Sequence, residues 1–275
     1  MRIDGELRWL AAGDRHLPVL EAGDPQGPPA VLLPGLTDGV APISSPHARR
    51  LFRDPPARMR RFRCLVLSHR HPVTAPVATR TLAADVATVL EQVLDRPAVV
   101  VGHSMGAMVA QHVAADAPGL VSGLVLSAAV ARADDPLRAI LTRWEELLTA
   151  GRWRRFHEDA LRCSYTGRAF TRRAVLLRLS RVDPVPPELV ARHRALSAAA
   201  SWHDARDQLG GVRAPALVLA GERDPLCPPR HARDVADLLP DARLAVFPDV
   251  AHGFPEQVPE RFAETVTGFV AELGP

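Results

Sequence analysis

The stretch Ala98-Val99-Val100-Val101-Gly102-His103-Ser104-Met105-Gly106-Ala107-Met108-Val109 carries the reading on which the fold turns. A short apolar run with β-branched residues meets Gly-x-Ser-x-Gly, and the chain continues as a helix-like segment through Val113. This order predicts a strand, a sharp turn and a helix, with Ser104 at the apex of the turn. Such a turn holds its central residue in a strained conformation and leaves no room for side chains two positions to either side, which is the steric reason for Gly102 and Gly106. It lifts the Ser104 hydroxyl above the edge of a sheet. It also makes Met105 the first residue of a helix, where an unpaired backbone N–H and the positive end of the helix dipole favour an anion.

Outward from this turn, apolar runs of the same kind recur at 30–33, 64–67, 124–126, 216–220 and 244–247. They show little alternation, the pattern of strands buried on both faces in a parallel sheet covered by helices. Helical periods fall between them, at 79–94, 105–116, 231–239 and 259–273. Strand and helix in alternation predict an α/β fold with a doubly wound, mostly parallel eight-stranded sheet, whose sites lie at the carboxyl ends of its strands. Segments 6–10 and 17–22 supply a leading antiparallel pair. Between residues 131 and 207 no strand-like run appears, and the chain becomes helical, rich in arginine and aromatic. Three of the four tryptophans (Trp144, Trp153, Trp202) and the single tyrosine, Tyr165, lie there. We read residues 1–130 and 208–275 as a core domain and 131–207 as a helical lid inserted after the sixth strand, some of whose aromatics face a substrate pocket.

Composition narrows the class. The chain has 275 residues, 47% hydrophobic and 24% charged, which suits one α/β domain with an insertion and excludes a disordered or fibrous protein. All 34 cationic residues are arginine, yet the formal net charge is only +3 and no coherent basic face is evident, so nucleic acid is not an expected partner. Nothing reads as a membrane span, and the opening Met1-Arg2-Ile3-Asp4-Gly5-Glu6-Leu7-Arg8 is too charged for a signal peptide. The expectation is a cytoplasmic protein, monomer or homodimer, without membrane partner. Cys64, Cys163 and Cys227 are odd in number and far apart, with no metal-ligand spacing. No metal, no cofactor and no catalytic cysteine is expected.

A serine hydroxyl is a weak nucleophile at neutral pH and needs a histidine base, usually with a carboxylate that fixes the imidazole tautomer. Asp224 follows the run 216–220 in Gly221-Glu222-Arg223-Asp224-Pro225, and His252 follows the run 244–247 in Asp249-Val250-Ala251-His252-Gly253. Both stand at carboxyl strand ends, and the order Ser104, Asp224, His252 is the one such a turn predicts. Asp204 and Asp249 are competing acids. On these motifs, the Gly-x-x-Asp of Gly221 to Asp224 and the His252-Gly253 pair included, the chain resembles the α/β-hydrolase fold superfamily, of the lidded serine esterase and lipase-like kind, over essentially its full length. The resemblance implies a Ser-His-Asp triad, a lid between the sixth and seventh strands, and a second oxyanion-hole N–H from the loop after residue 33. That loop reads Pro34-Gly35-Leu36-Thr37-Asp38-Gly39, with proline where the family usually has histidine, and Leu36 carries the donor beside that of Met105.

The expected function is therefore a cofactor-free hydrolase cleaving a carboxylic ester or lactone of a mid-sized apolar molecule, through an acyl-enzyme on Ser104. A thioesterase or acyltransferase, a C–C hydrolase acting on a pathway intermediate, a cofactor-free haloperoxidase-like enzyme using the same triad, and a non-hydrolytic ligand-binding protein or cyclase that leaves Ser104 unused are the alternatives. Candidate substrate contacts are Gly35, Asp38, Arg70, Trp144, Trp153 and Tyr165, with His47 beside Asp38 at the pocket mouth. His69-Arg70-His71 reads as a surface loop, His103 as a packing residue turned away from the serine, and His203-Asp204 as a helix-start device.

Overall fold

The computed structural model describes residues 6–43, 60–73 and 76–273. His47 and part of the arginine cluster at 58–63 lie outside the described residues. Eight strands form one sheet in the order β1-β2-β4-β3-β5-β6-β7-β8. These are β1 (Glu6–Ala12), β2 (Arg15–Gly23), β3 (Pro29–Leu33), β4 (Arg63–Leu67), β5 (Ala98–His103), β6 (Val121–Ser127), β7 (Ala216–Gly221) and β8 (Ala242–Phe247). The leading pair is antiparallel, as is β2 with β4, and every later pairing is parallel. The carboxyl ends of β3 to β8 consequently share one edge.

Period-two alternation sorts the strand side chains onto two covered faces. Ala30 of β3 and Cys64 of β4 join Phe62, with Leu32 and Val270 packed against them on one face. Val31, Leu33, Leu65 and Leu67 enter the main core on the other. Helices α1 (Thr79–Val93) and α2 (Met105–Asp116) belong to that second layer, while Val270 comes from α10 (Pro259–Glu272). In α1 the buried Leu82, Val86, Val89 and Leu90 recur at helical spacing, which is why this segment pairs with a sheet face and not with solvent. The run at 244–247 departs from the expectation of burial on both faces: β8 is an edge strand, and Leu244 is 38% exposed.

Four helices follow β6 before the chain returns to β7: α3 (Asp135–Thr149), α4 (Trp153–Ser164), α5 (Gly167–Leu179) and α6 (Pro187–Ser201), with a short α7 (Arg206–Leu209) closing the segment. Helix α3 starts where the Asp134 carboxylate accepts the Leu137 N–H at 3.0 Å, and it buries Leu137, Leu141, Trp144 and Leu148 along one stripe. Beyond β7 come α8 (Pro229–Leu238) and the single-turn α9 (Phe254–Gln257) ahead of α10. No helix among the described residues is long and apolar enough to cross a membrane.

The turn after β5 holds Ser104 at φ 55° and ψ −120°, followed at once by the first residue of α2. A Cβ on Gly106 would stand 2.1 Å from the Leu33 carbonyl oxygen, and one on Gly102 would stand 2.4 Å from the Gly106 carbonyl oxygen. Both glycines are thus required by close approach of backbone to backbone, across to β3 and within the turn itself. Gly106→Ala is expected to destabilise the protein by about 3 kcal/mol, at the upper end of overpacking costs because the obstructing atom is backbone. Urea unfolding monitored by circular dichroism measures it, and a change under about 1 kcal/mol would contradict this account.

Candidate active site

The loops after β3, β5, β7 and β8 at the carboxyl edge of the sheet border a cavity of about 300 Å³. Ser104 and His252 both line it, together with Gly35, Leu36, Met105 and side chains of the helices after β6. His252 sits just beyond β8, and its Nδ1 lies 2.7 Å from Asp224 Oδ2. Asp224 is 2% exposed. Its other oxygen accepts the Leu226 and Cys227 N–H groups at 2.8 and 3.0 Å. Burial pushes the Asp224 carboxyl up, yet the charge and hydrogen bond of His252, together with these two N–H groups, hold it below the usual carboxylate range. The two loops meet because β7 ends in glycine: a Cβ on Gly221 would lie 2.6 Å from the Ala251 carbonyl oxygen. The competing acids are placed otherwise. Asp204 is bound by Arg206 and caps its N–H, and Asp249 pairs with Arg223 in solvent.

Leu36 opens a 3₁₀ turn, Leu36–Gly39, and Met105 opens α2. First residues of helices have no intrahelical acceptor for their N–H, so each brings a free donor to the cavity wall. A Cβ on Gly35 would lie 3.2 Å from Ser104 Cβ, which places the turn directly against the serine. The set Asp224, Cys227 and His252 brings three potential metal-ligand atoms within 4.8 Å of one another. Both Asp224 oxygens are already bonded, and burial pushes the Cys227 thiol far above its ordinary range, so this set does not offer a ready anionic site.

The candidate substrate contacts divide. Gly35, Trp144 and Tyr165 line the cavity. Trp153 borders a separate surface depression near Gly151 and Arg155. Asp38 is not a pocket residue either: it is 3% exposed and buried against Arg192 of α6, whose Nη2 donates to Asp38 Oδ2 at 2.5 Å. The same guanidinium donates to the carbonyls of Arg70 and His69 at 2.5 and 3.0 Å. Asp38 also accepts from the Ser68 hydroxyl and, at 3.1 Å, from the His69 N–H. An aspartate in this turn therefore anchors the Leu36 loop to α6 and to the loop after β4. Arg70 is turned away, paired with Asp85 through both oxygens. His69 is not on the surface but 2% exposed, with its N–H and carbonyl bonded to Asp38 and Arg192.

His103 is a second correction. It lines the cavity, with its ring centroid 5.0 Å from that of His252 and its Nδ1 3.0 Å from Ser127 Oγ. Burial, reinforced by the neighbouring His252, holds it down to about 3, so it stays neutral beside the candidate base. The sequence reads it as a packing residue turned from the serine; it does pack, but against His252 at the cavity wall. His203 is likewise buried, 3.0 Å from Thr79 Oγ1, although Asp204 does behave as a helix-start residue. The helices after β6 also hold the histidine loop: the His252 and Gly253 N–H groups donate to the Cys163 and Ser164 carbonyls at 3.3 and 2.8 Å, at the end of α4.

A family model described as alpha/beta hydrolase fold matches residues 28–257. A Mycobacterium tuberculosis protein, BpoC, that carries a non-heme bromoperoxidase name is 30% identical over 228 residues, covering 77% of this chain and 84% of that one. An Azorhizobium caulinodans protein, RutD, that carries a carbamate hydrolase name is 28% identical over 201 residues, 72% of this chain and 75% of that one. Among solved structures, the enol-lactonase from Burkholderia xenovorans LB400 superposes with a TM-score of 0.78 at 20% identity, over 96% of this chain and 100% of that one.

Two outcomes follow from this geometry. Arg192→Met leaves the buried Asp38 charge uncompensated and is expected to cost about 3–5 kcal/mol in urea unfolding, whereas Arg80→Met, at the exposed pair with Asp116, is expected to leave unfolding nearly unchanged. Equal losses at the two pairs would refute the difference. His69 and His193 are held by burial down to about 4, and His203 to about 3. Their folded values lie below the unfolded one, so the unfolded chain takes up these protons first. The stability they contribute is complete above pH 6.5 and is lost as pH falls toward 4, at up to about 1.4 kcal/mol per histidine per pH unit. Tm is expected to fall steadily from pH 7 to 4.5, and a flat profile over that range would count against buried neutral histidines.

Proposed function

The chain belongs to the α/β-hydrolase fold family, and from that premise we propose that it is a serine hydrolase cleaving a carboxylic ester or lactone of a mid-sized, mostly apolar molecule. The observation that carries this reading is the strained Ser104 standing in the same cavity as His252, whose far nitrogen is held by a buried Asp224. In the proposed reaction the Ser104 hydroxyl attacks the acyl carbon while His252 takes its proton. The alkoxide that forms is held by the N–H groups of Leu36 and Met105, each worth about 3 kcal/mol in the transition state. His252 returns the proton to the leaving oxygen, and water then releases the acyl group from Ser104 by the same route. Asp224 keeps the imidazole in the tautomer whose outer nitrogen accepts the serine proton and stabilises the imidazolium.

The cavity favours a small ligand: its size is at the lower end for such sites, and Leu36, Met108, Leu137, Leu141, Trp144 and Phe156 form most of its apolar wall. Carbamates and enol-lactones, the compounds in two of the relatives' names, each present a carbonyl to a nucleophile, which accords with an acyl substrate. In this reading residues 131–207 act as the lid that covers the bound acyl group.

A fluorophosphonate probe and p-nitrophenyl ester turnover test the proposal. Wild type is expected to label and to turn over, and Ser104→Ala and His252→Ala to lose both. Asp224→Asn is expected to keep the fold and lose about 10⁴-fold in kcat through the wrong tautomer. Folded wild-type protein that takes up no probe, or labelling that survives Ser104→Ala, would overturn the assignment and leave a ligand-binding or cyclase role that spares the serine.

A further inference from the structure

Helix α6 presents two neighbouring side chains to different places. Arg192 is fully engaged by Asp38 and by the carbonyls after β4. His193 lines the cavity, is 2% exposed, and has an Nδ1 with no hydrogen-bond partner. A buried polar atom left unpaired in a folded protein is uncommon and calls for a cause. The surrounding polar groups are already committed: the Trp144 N–H donates to Asp159 at 2.7 Å, the Tyr165 hydroxyl donates to Glu256 at 2.7 Å, and His103 meets Ser127. Among the deeply buried polar groups of the wall, the His193 imidazole makes no hydrogen bond to a described residue; its Nδ1 is closed off within the protein, and Nε2 is the nitrogen left for an occupant of the cavity.

Its position is imposed from two sides. A Cβ on Gly39 would come 2.9 Å from His193 Cα, so the backbone of α6 rests on the 3₁₀ turn that begins at Leu36. The Phe156 ring stands edge-on to His193 at 5.7 Å and to His157 at 5.3 Å, so one aromatic ring steadies both imidazoles, and His157 lines the same cavity. Burial holds His193 down to about 4 and His157 below its ordinary value, so near neutral pH each offers an N–H and a lone pair but no charge. A carboxylate or phosphate placed there would lack a counter-ion, whereas a neutral oxygen would find a partner in an otherwise apolar wall.

We propose that His193, which shares the Phe156 ring and the cavity wall with His157, forms a specificity-determining subsite for a second, uncharged oxygen on the substrate, such as a keto, hydroxyl or ring oxygen separate from the carbonyl that Ser104 attacks. This rests on the acyl-hydrolase reading of the site and narrows it to oxygenated acyl compounds, as distinct from plain fatty esters. A wall that must hydrogen-bond one substrate atom discriminates more strongly against the analogue lacking it than an apolar wall does between chain lengths.

The test compares p-nitrophenyl hexanoate with its 3-, 4- and 5-oxo derivatives. At least one oxo ester is expected to exceed the plain ester by tenfold or more in kcat/KM with wild-type protein. His193→Leu should bring that ratio to within about twofold of one, and His193→Gln, which restores a hydrogen-bonding group, should recover part of it. His193→Phe serves as a second apolar variant should the leucine variant not fold. Hexanamide and the corresponding oxohexanamides, titrated calorimetrically onto Ser104→Ala with and without His193→Leu, read the same preference without any turnover. Absence of labelling and turnover would therefore end the hydrolase reading while leaving the subsite measurable. No preference for any oxo compound in wild type, or a preference that persists in His193→Leu, would overturn the subsite itself.

Discussion

Ser104 is held at φ 55° and ψ −120°, a backbone state that costs an L-residue about 1–3 kcal/mol and survives only where its surroundings leave no alternative. Here those surroundings are backbone. The Leu33 carbonyl at the end of β3 closes on Gly106, the start of α2 closes on Gly102, and the Gly35 loop closes on Ser104 itself. The strain is therefore shared by two neighbouring parallel strands and the helix between them, all of which are buried. Relaxing the turn would require separating β3 from β5 or lifting α2 off the sheet. The same crowding that strains the serine places two helix-start N–H groups beside it, so the candidate nucleophile and the candidate oxyanion donors have one structural cause.

The helices after β6 are fastened to this edge at two points that matter for chemistry. One is the buried Arg192 and Asp38 pair at the Leu36 turn, and the other is the pair of hydrogen bonds from the His252 loop to the end of α4. A buried ion pair stabilises little in net terms but is costly to break from one side. Its effect here is geometric: it fastens the 3₁₀ turn that follows Pro34 and Gly35 to helix α6. Many of the other arginine pairs lie in solvent, such as Arg80 with Asp116 and Arg206 with Asp204, and contribute correspondingly little. Arg192 has a structural task that lysine, with its single point charge, would perform poorly, since it donates to five oxygens at once.

Four of the polar side chains that line the cavity are histidines. His252 meets a carboxylate, His103 lies against it and stays neutral, and His193 and His157 stand across the apolar wall without charge. One residue type serves as candidate base, neutral neighbour and candidate subsite because burial and partners differ from place to place.

The sheet, its order of strand types, the turn at Ser104 and the late positions of Asp224 and His252 were legible in the sequence. Each depends on local signals: β-branched runs of four to six residues, glycines flanking a serine, loops that follow strands. Asp38, Arg70, Trp153 and His103 were not readable in this way. Whether Asp38 faces a ligand or an arginine 154 positions later depends on how α6 lies across the 3₁₀ turn, and nothing near Asp38 in the chain records that. His193 and Arg192 gave no local signal either, since an arginine and a histidine in a helix read as a solvated face. Local sequence determines which backbone states are affordable, so it settled the elements and the strained turn. Burial and partnership are sums over distant segments, so only the tertiary structure decided which polar side chains became anchors and which were left free to meet a substrate.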